Sequence, residues 1–119
     1  MAYEFGQIVD GESGKVLFDK GVKPVCFWSR FRGLQLRREL LDGAAWWFDN
    51  CKSVHTFNMR YKIDVIYISS EGVVLKVVAN VPKRRISYCR DGSAVIEVGA
   101  GIASEFCIQP GVKLEWVDD

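Results

Sequence analysis

Two apolar runs rich in β-branched residues, 62–69 and 73–81, are joined through Ser69-Ser70-Glu71-Gly72 and constrain this chain more than any other stretch. A connection that short makes the two runs antiparallel neighbours, because parallel strands need a crossover of about a dozen residues or more. The remainder of the sequence repeats the signal. Lys15-Val16-Leu17-Phe18, Pro24 to Trp28, Ala44 to Phe48, Ser53 to Met59 and Ala94 to Val98 read as further strands, with turn residues such as Asp10-Gly11, Gly21 and Asp49-Asn50 near their ends. A last strand alternates, with Val112, Leu114 and Trp116 facing in and Lys113 and Glu115 facing out. Ser29 begins a short amphipathic helix that stops near Asp42-Gly43, and Ile102, Ala103 and Phe106 suggest a helical turn. The expected fold is mainly β: one domain over residues 1–119, an antiparallel β-sandwich or barrel, jelly-roll-like, with one or two short helices.

A chain of 119 residues has room for one core, and four Trp, four Tyr and seven Phe supply large side chains for it. Neither a metal nor disulfides are required. Formal charge of +1 gives no global attraction to nucleic acid or anionic membrane. No apolar run reaches the length of a signal sequence or membrane span, so the chain reads as cytoplasmic. Cys26, Cys51, Cys89 and Cys107 then read as free thiols, since no Cys-x-x-Cys pair suggests zinc. No cofactor motif is found.

Function is signalled by polar groups on apolar strands. Alternation places Asp64 with Ile66 and Ile68 on one face, and Ile63, Val65 and Tyr67 on the other. A buried carboxylate needs partners, and Arg30, Arg37 and Arg60 are the expected guanidinium donors. His55, the single histidine, shares a face with Phe57 and Met59; satisfied packing is the commoner fate of such an imidazole, and a histidine metal cluster is excluded by count. Glu97 shares a strand face with Val95 and repeats the problem of Asp64. Two carboxylates facing one cleft would suit acid and base work on a glycosidic bond, with one of Trp46 and Trp47 as a stacking surface and the other in the core. Lys83-Arg84-Arg85 with Tyr88 and Arg90 forms a basic loop, and Gly99-Ala100-Gly101 precedes a helical turn in the manner of an anion site.

Arg30-Phe31-Arg32-Gly33-Leu34 with Arg37, Val54 to Arg60, Ile63-Asp64, Val95-Ile96-Glu97 with Gly101, and Pro110-Gly111 together carry a resemblance. Over about Phe27 to Trp116 the chain resembles the domain of unknown function 192, a family of small prokaryotic proteins without an assigned activity. It departs at Gln35, where the family usually has Met, and at Lys62, where Pro is frequent. The resemblance implies a compact mainly-β fold, jelly-roll-like or barrel-like, with recurrent polar residues at Arg30, Arg37, His55, Met59, Asp64 and Glu97. It supplies no reaction.

The expectation is therefore a binding module whose pocket gathers Arg30, Arg37, His55, Asp64 and Glu97 around a small polar or anionic molecule, with Phe57, Met59 and Trp46 or Trp47 as walls. The alternative is a hydrolase of a sugar or similar substrate using Asp64, Glu97 and His55. Nucleic-acid contact through Lys83 to Arg85 ranks third.

Overall fold

A computed structural model describes residues 3–24, 43–55, 62–82 and 86–119, without the side chains of residues 55 and 86. In chain order its strands are β1 (Tyr3–Asp10), β2 (Val16–Pro24), β3 (Ala45–Asp49), β4 (Ser53–His55), β5 (Ile63–Ile68), β6 (Val74–Val81), β7 (Ile86–Tyr88) and β8 (Ala94–Gly99). A single turn of helix, α1 (Ile102–Glu105), and β9 (Leu114–Asp118) complete it. The helix expected over 29–42, residues 25–28 and the basic run 83–85 lie outside the described residues.

Seven strands form one sheet in the order β6-β5-β8-β3-β2-β1-β9, and β4 with β7 makes a separate two-stranded ribbon. The β5–β6 hairpin forms as its connection demands, turning on Gly72 at φ 84° with Ser69 N–H donating to the Val73 carbonyl at 2.9 Å. Two features differ from a closed antiparallel barrel. β2 and β3 pair in parallel, and the outer strands β6 and β9 approach only around one bridge, Val73 to Lys113. Parallel pairing lets β3 enter the middle of the sheet, a placement that hydrophobic alternation does not encode.

The middle of the main sheet is buried on both faces, so β5 and β8 are apolar nearly throughout rather than alternating with polar residues. One face carries Ile66, Ile68, Ile96, Val98 and Trp47, packed against Ala103 and Ile108. The other carries Val65, Tyr67, Val95, Trp46 and Phe48, packed against Val54 of the ribbon. Each fully buried aliphatic such as Ile66 or Ile96 contributes about 1.5–3 kcal/mol relative to exposure. Trp46 and Trp47 do point to opposite faces. Cys51, Cys89 and Cys107 are free thiols, and among the described residues no helix is long and apolar enough to cross a membrane.

Candidate functional site

Asp64 lies on β5, is 0% exposed, and sits where the pairing with β6 shifts register. Its Oδ1 accepts the Asn80 N–H at 2.9 Å, and its Oδ2 accepts those of Gly101 and Ala103 at 3.0 Å each. These three bonds come from backbone amides; Arg30, Arg37 and Arg60, the expected guanidinium partners, lie outside the described residues. Asn80 at φ 54° and Gly101 at φ 89° both occupy the left-handed region, and hydrogen bonds to the carboxylate help hold them there. The Gly99-Ala100-Gly101 stretch therefore does bind an anion, and that anion is the chain's own Asp64. This carboxylate ties β5, β6 and α1 together.

Glu97 lies across the sheet. On β8 it pairs with Trp46 of β3 on one side and Val65 of β5 on the other, both on the face away from α1. Asp64 and Glu97 consequently face opposite sides of one sheet. They share no cleft, and the paired-carboxylate arrangement expected for glycosidic hydrolysis is not formed. Glu97 is 3% exposed and has no ion pair or side-chain hydrogen bond among the described residues. Burial alone pushes its carboxyl up to about 8, which favours the neutral, proton-donating acid at neutral pH.

Three more polar atoms on this side of the sheet lack partners among the described residues: Trp46 Nε1, Tyr67 Oη and Tyr3 Oη. Register makes them neighbours. Trp46 is directly opposite Glu97, Tyr67 is directly opposite Val95 two residues along β8, and the Tyr3 ring meets Trp46 edge-on at 5.9 Å and 87°. Phe48 stacks beside Trp46 at 6.4 Å. Burial raises the Tyr67 phenol above its ordinary value; Ser87 opposes the shift, while Cys51, Cys89 and Glu97 add to it. The Ser87 hydroxyl is close to the phenol without meeting hydrogen-bond geometry. Tyr67 thus also stays protonated. A buried polar group without a partner costs about 1–3 kcal/mol, so several on one apolar face form an arrangement in want of acceptors.

Of the residues expected at the site, the structure describes Asp64 and Glu97 fully and separates them. His55 ends β4 opposite Ile86 of β7; its side chain, with Arg30, Arg37, Phe57 and Met59, lies outside the described residues. Tyr3 and Tyr67 are site residues that the sequence expectation does not include, and Trp46 enters it as wall or core. Tyr67 carried a signal, since it shares the strand face of Val65; its nearness to Glu97 depends on the register of β5 with β8.

No curated protein matches the chain. A solved structure from Sinorhizobium meliloti, of a protein named for a proposed role as a transcription regulator, is similar at 22% identity and a TM-score of 0.74, covering 97% of this chain and 94% of that one. A Novosphingobium aromaticivorans protein of unknown function is similar at 23% identity and a TM-score of 0.72, covering 94% of this chain and 85% of that one. Both likenesses are of fold. The model of the family DUF192, uncharacterized ACR, matches residues 25–116. That match spans most of the chain, Asp64 and Glu97 included, and the chain belongs to the domain of unknown function 192 family.

Proposed function

We propose that this chain is a binding module for a small polar or anionic ligand, held on the Glu97 face of the sheet. The observation that carries the reading is the buried Glu97 on one sheet face with the Trp46 N–H and Tyr67 O–H, which have no partner among the described residues, all at most 3% exposed; burial, by raising the Glu97 carboxyl to about 8, favours its neutral form. Donors with no acceptor on an aromatic floor fit a ligand that brings oxygen acceptors, such as a carboxylate or phosphate group. A neutral acid next to a phenol donates to an oxyanion without adding negative charge of its own. Asp64 stands on the opposite face of the sheet, where three backbone N–H groups of α1, its preceding turn and β6 bind its carboxylate. The free thiols of Cys51, Cys89 and Cys107 suit a reducing compartment, in keeping with a cytoplasmic location.

Thermal-shift measurement with phosphate, sulfate and small carboxylates tests the proposal. At least one should raise the melting temperature of the native chain, since a ligand at a hundredfold excess over Kd adds about 2.7 kcal/mol. Tyr67→Phe and Trp46→Phe, which remove donors and keep rings, should blunt that response. Equal responses in the native chain and both variants would sink the reading. Nucleic acid stands outside it: a charge of +1 supplies little attraction for a polyanion, and likeness of fold does not transfer a regulator's role.

A further inference from the structure

A groove of about 310 Å³ opens where β3 and β5 end and β8 begins, between the Ser69–Gly72 turn and β9. It belongs to the face opposite Glu97, since Trp47 lines it. β5 runs from Asp64, tied to α1, to Ile68 at the groove, so the two features lie about 13 Å apart along the strand. The open end of a curled sheet is a usual place for a small-molecule site, and this volume lies at the small end of such sites.

Two indoles line the groove. Trp47 and Trp116 meet at 5.9 Å between centroids and 64°. Around them stand the carboxylates of Asp49, Glu71 and Glu115 and the hydroxyls of Ser69 and Ser93, and no Lys or Arg is among the described lining residues. The Glu71 carboxyl is held below its ordinary value by its own backbone N–H and by the Ser69 and Ser70 hydroxyls, which keeps it an acceptor. A lining rich in acceptors selects a ligand rich in donors and repels oxoanions.

Polyols and ammonium cations are both rich in donors, and the surrounding charges choose between them. Lys23 Nζ already stands 4.6 Å from the Trp116 ring centroid and 5.6 Å from that of Trp47, and 3.7 Å from Asp49 Oδ2. Lys113 Nζ lies 3.7 Å from Glu115 Oε1. Lys23 thus takes up the cation attraction of both indoles, and two of the three carboxylates have an ammonium beside them. A further cation would find only Glu71 without an ammonium beside it among the described residues, at an exposed position where an ion pair contributes little. Carboxylate lone pairs, hydroxyls and indole surface remain, matching the vicinal hydroxyls and C–H face of a sugar ring. The Trp47 N–H donates to Asp49 Oδ1 at 2.8 Å and so fixes that wall in place.

We propose that this groove is a second binding site, for a neutral hydroxyl-rich ligand of monosaccharide size. Nitrogen-15 NMR of the labelled full chain tests it, with glucose, galactose, mannose and ribose as probes beside spermidine and inorganic phosphate. A sugar should produce saturable shifts at millimolar concentration in the Trp47 and Trp116 indole N–H signals and the 69–72 amides, while spermidine and phosphate produce none there. Glu71→Ala and Glu115→Ala, both at exposed positions, should weaken sugar binding roughly tenfold, about 1.4 kcal/mol. Absence of saturation with all four sugars, saturation by spermidine or phosphate instead, or native affinity in both variants would overturn the proposal.

Discussion

Asp64 and Glu97 show how two buried acids in one sheet diverge according to what surrounds them. Asp64 accepts three backbone N–H groups, and Asp64→Asn replaces one acceptor oxygen with an NH2 group that confronts a donor. Hydrogen bonds to charged groups contribute about 1.5–3 kcal/mol each, and an unsatisfied buried amide adds its own cost, so we expect a loss of roughly 3 kcal/mol in denaturant melts. Glu97 behaves the other way. Its folded value of about 8 exceeds the 4.5 of an exposed Glu, so the unfolded chain releases a proton more readily than the folded one. Below pH 4.5 both states are protonated and there is no penalty; stability then falls as pH rises toward 8 and levels off above it. Glu97→Gln should therefore melt like the native chain near pH 4.5 and higher at pH 9, by a few kcal/mol at one pKa unit per about 1.4 kcal/mol. Equal melting at pH 9 would show that Glu97 is not held neutral. The burial of both acids was legible in their apolar strand neighbours. The amides that reach Asp64 are not legible there, because they lie 16, 37 and 39 residues away.

Among the elements, the β5–β6 hairpin was legible because both its strands and its turn are local in sequence. β1 was not read as a strand: Gly6 interrupts it, and Phe5 is 52% exposed, which blurs the inward and outward alternation. Ribbon strand β7 has only three residues, Ile86–Tyr88, too few for a period to register. The helical turn at Ile102 is legible in Ile102, Ala103 and Phe106, whereas the carboxylate it binds, Asp64, is 37 and 39 residues from the amides that hold it. Gly101 precedes α1 at φ 89°, with nothing within 4 Å of where a Cβ would stand. Gly101→Ala should consequently cost only the strain of the left-handed backbone, about 1–2 kcal/mol, and leave the fold intact by NMR. Gly21→Ala should cost more. Its Cβ would lie 2.7 Å from the Trp116 ring and 2.9 Å from the Gly6 carbonyl, so the loss should be about 1–3 kcal/mol with altered Trp emission.

At the scale of the whole molecule, the order of strands was the hidden part, since alternation says which side of a strand is buried and not which strand lies beside it. The parallel β2–β3 pair and the insertion of β8 between β3 and β5 are set by that order. The last strand holds the arrangement at both ends: β9 pairs with β1 along its length, while Leu114 N–H donates to the Gly72 carbonyl at 2.8 Å. Ending the chain at Val112 would leave the edge of β1 open and remove the fully buried Leu114. We expect that shortened chain to lose cooperative thermal unfolding in calorimetry. The indole of Trp116 lies so near both Gly6 and Gly21 that a methyl at either position would meet it within 2.9 Å. Relatives should therefore keep glycine at both positions: a smaller residue at 116 would clear the indole alone, while a methyl at 21 would still meet the Gly6 carbonyl at 2.9 Å and one at 6 would strike the Val117 carbonyl, neither of which a side-chain exchange moves.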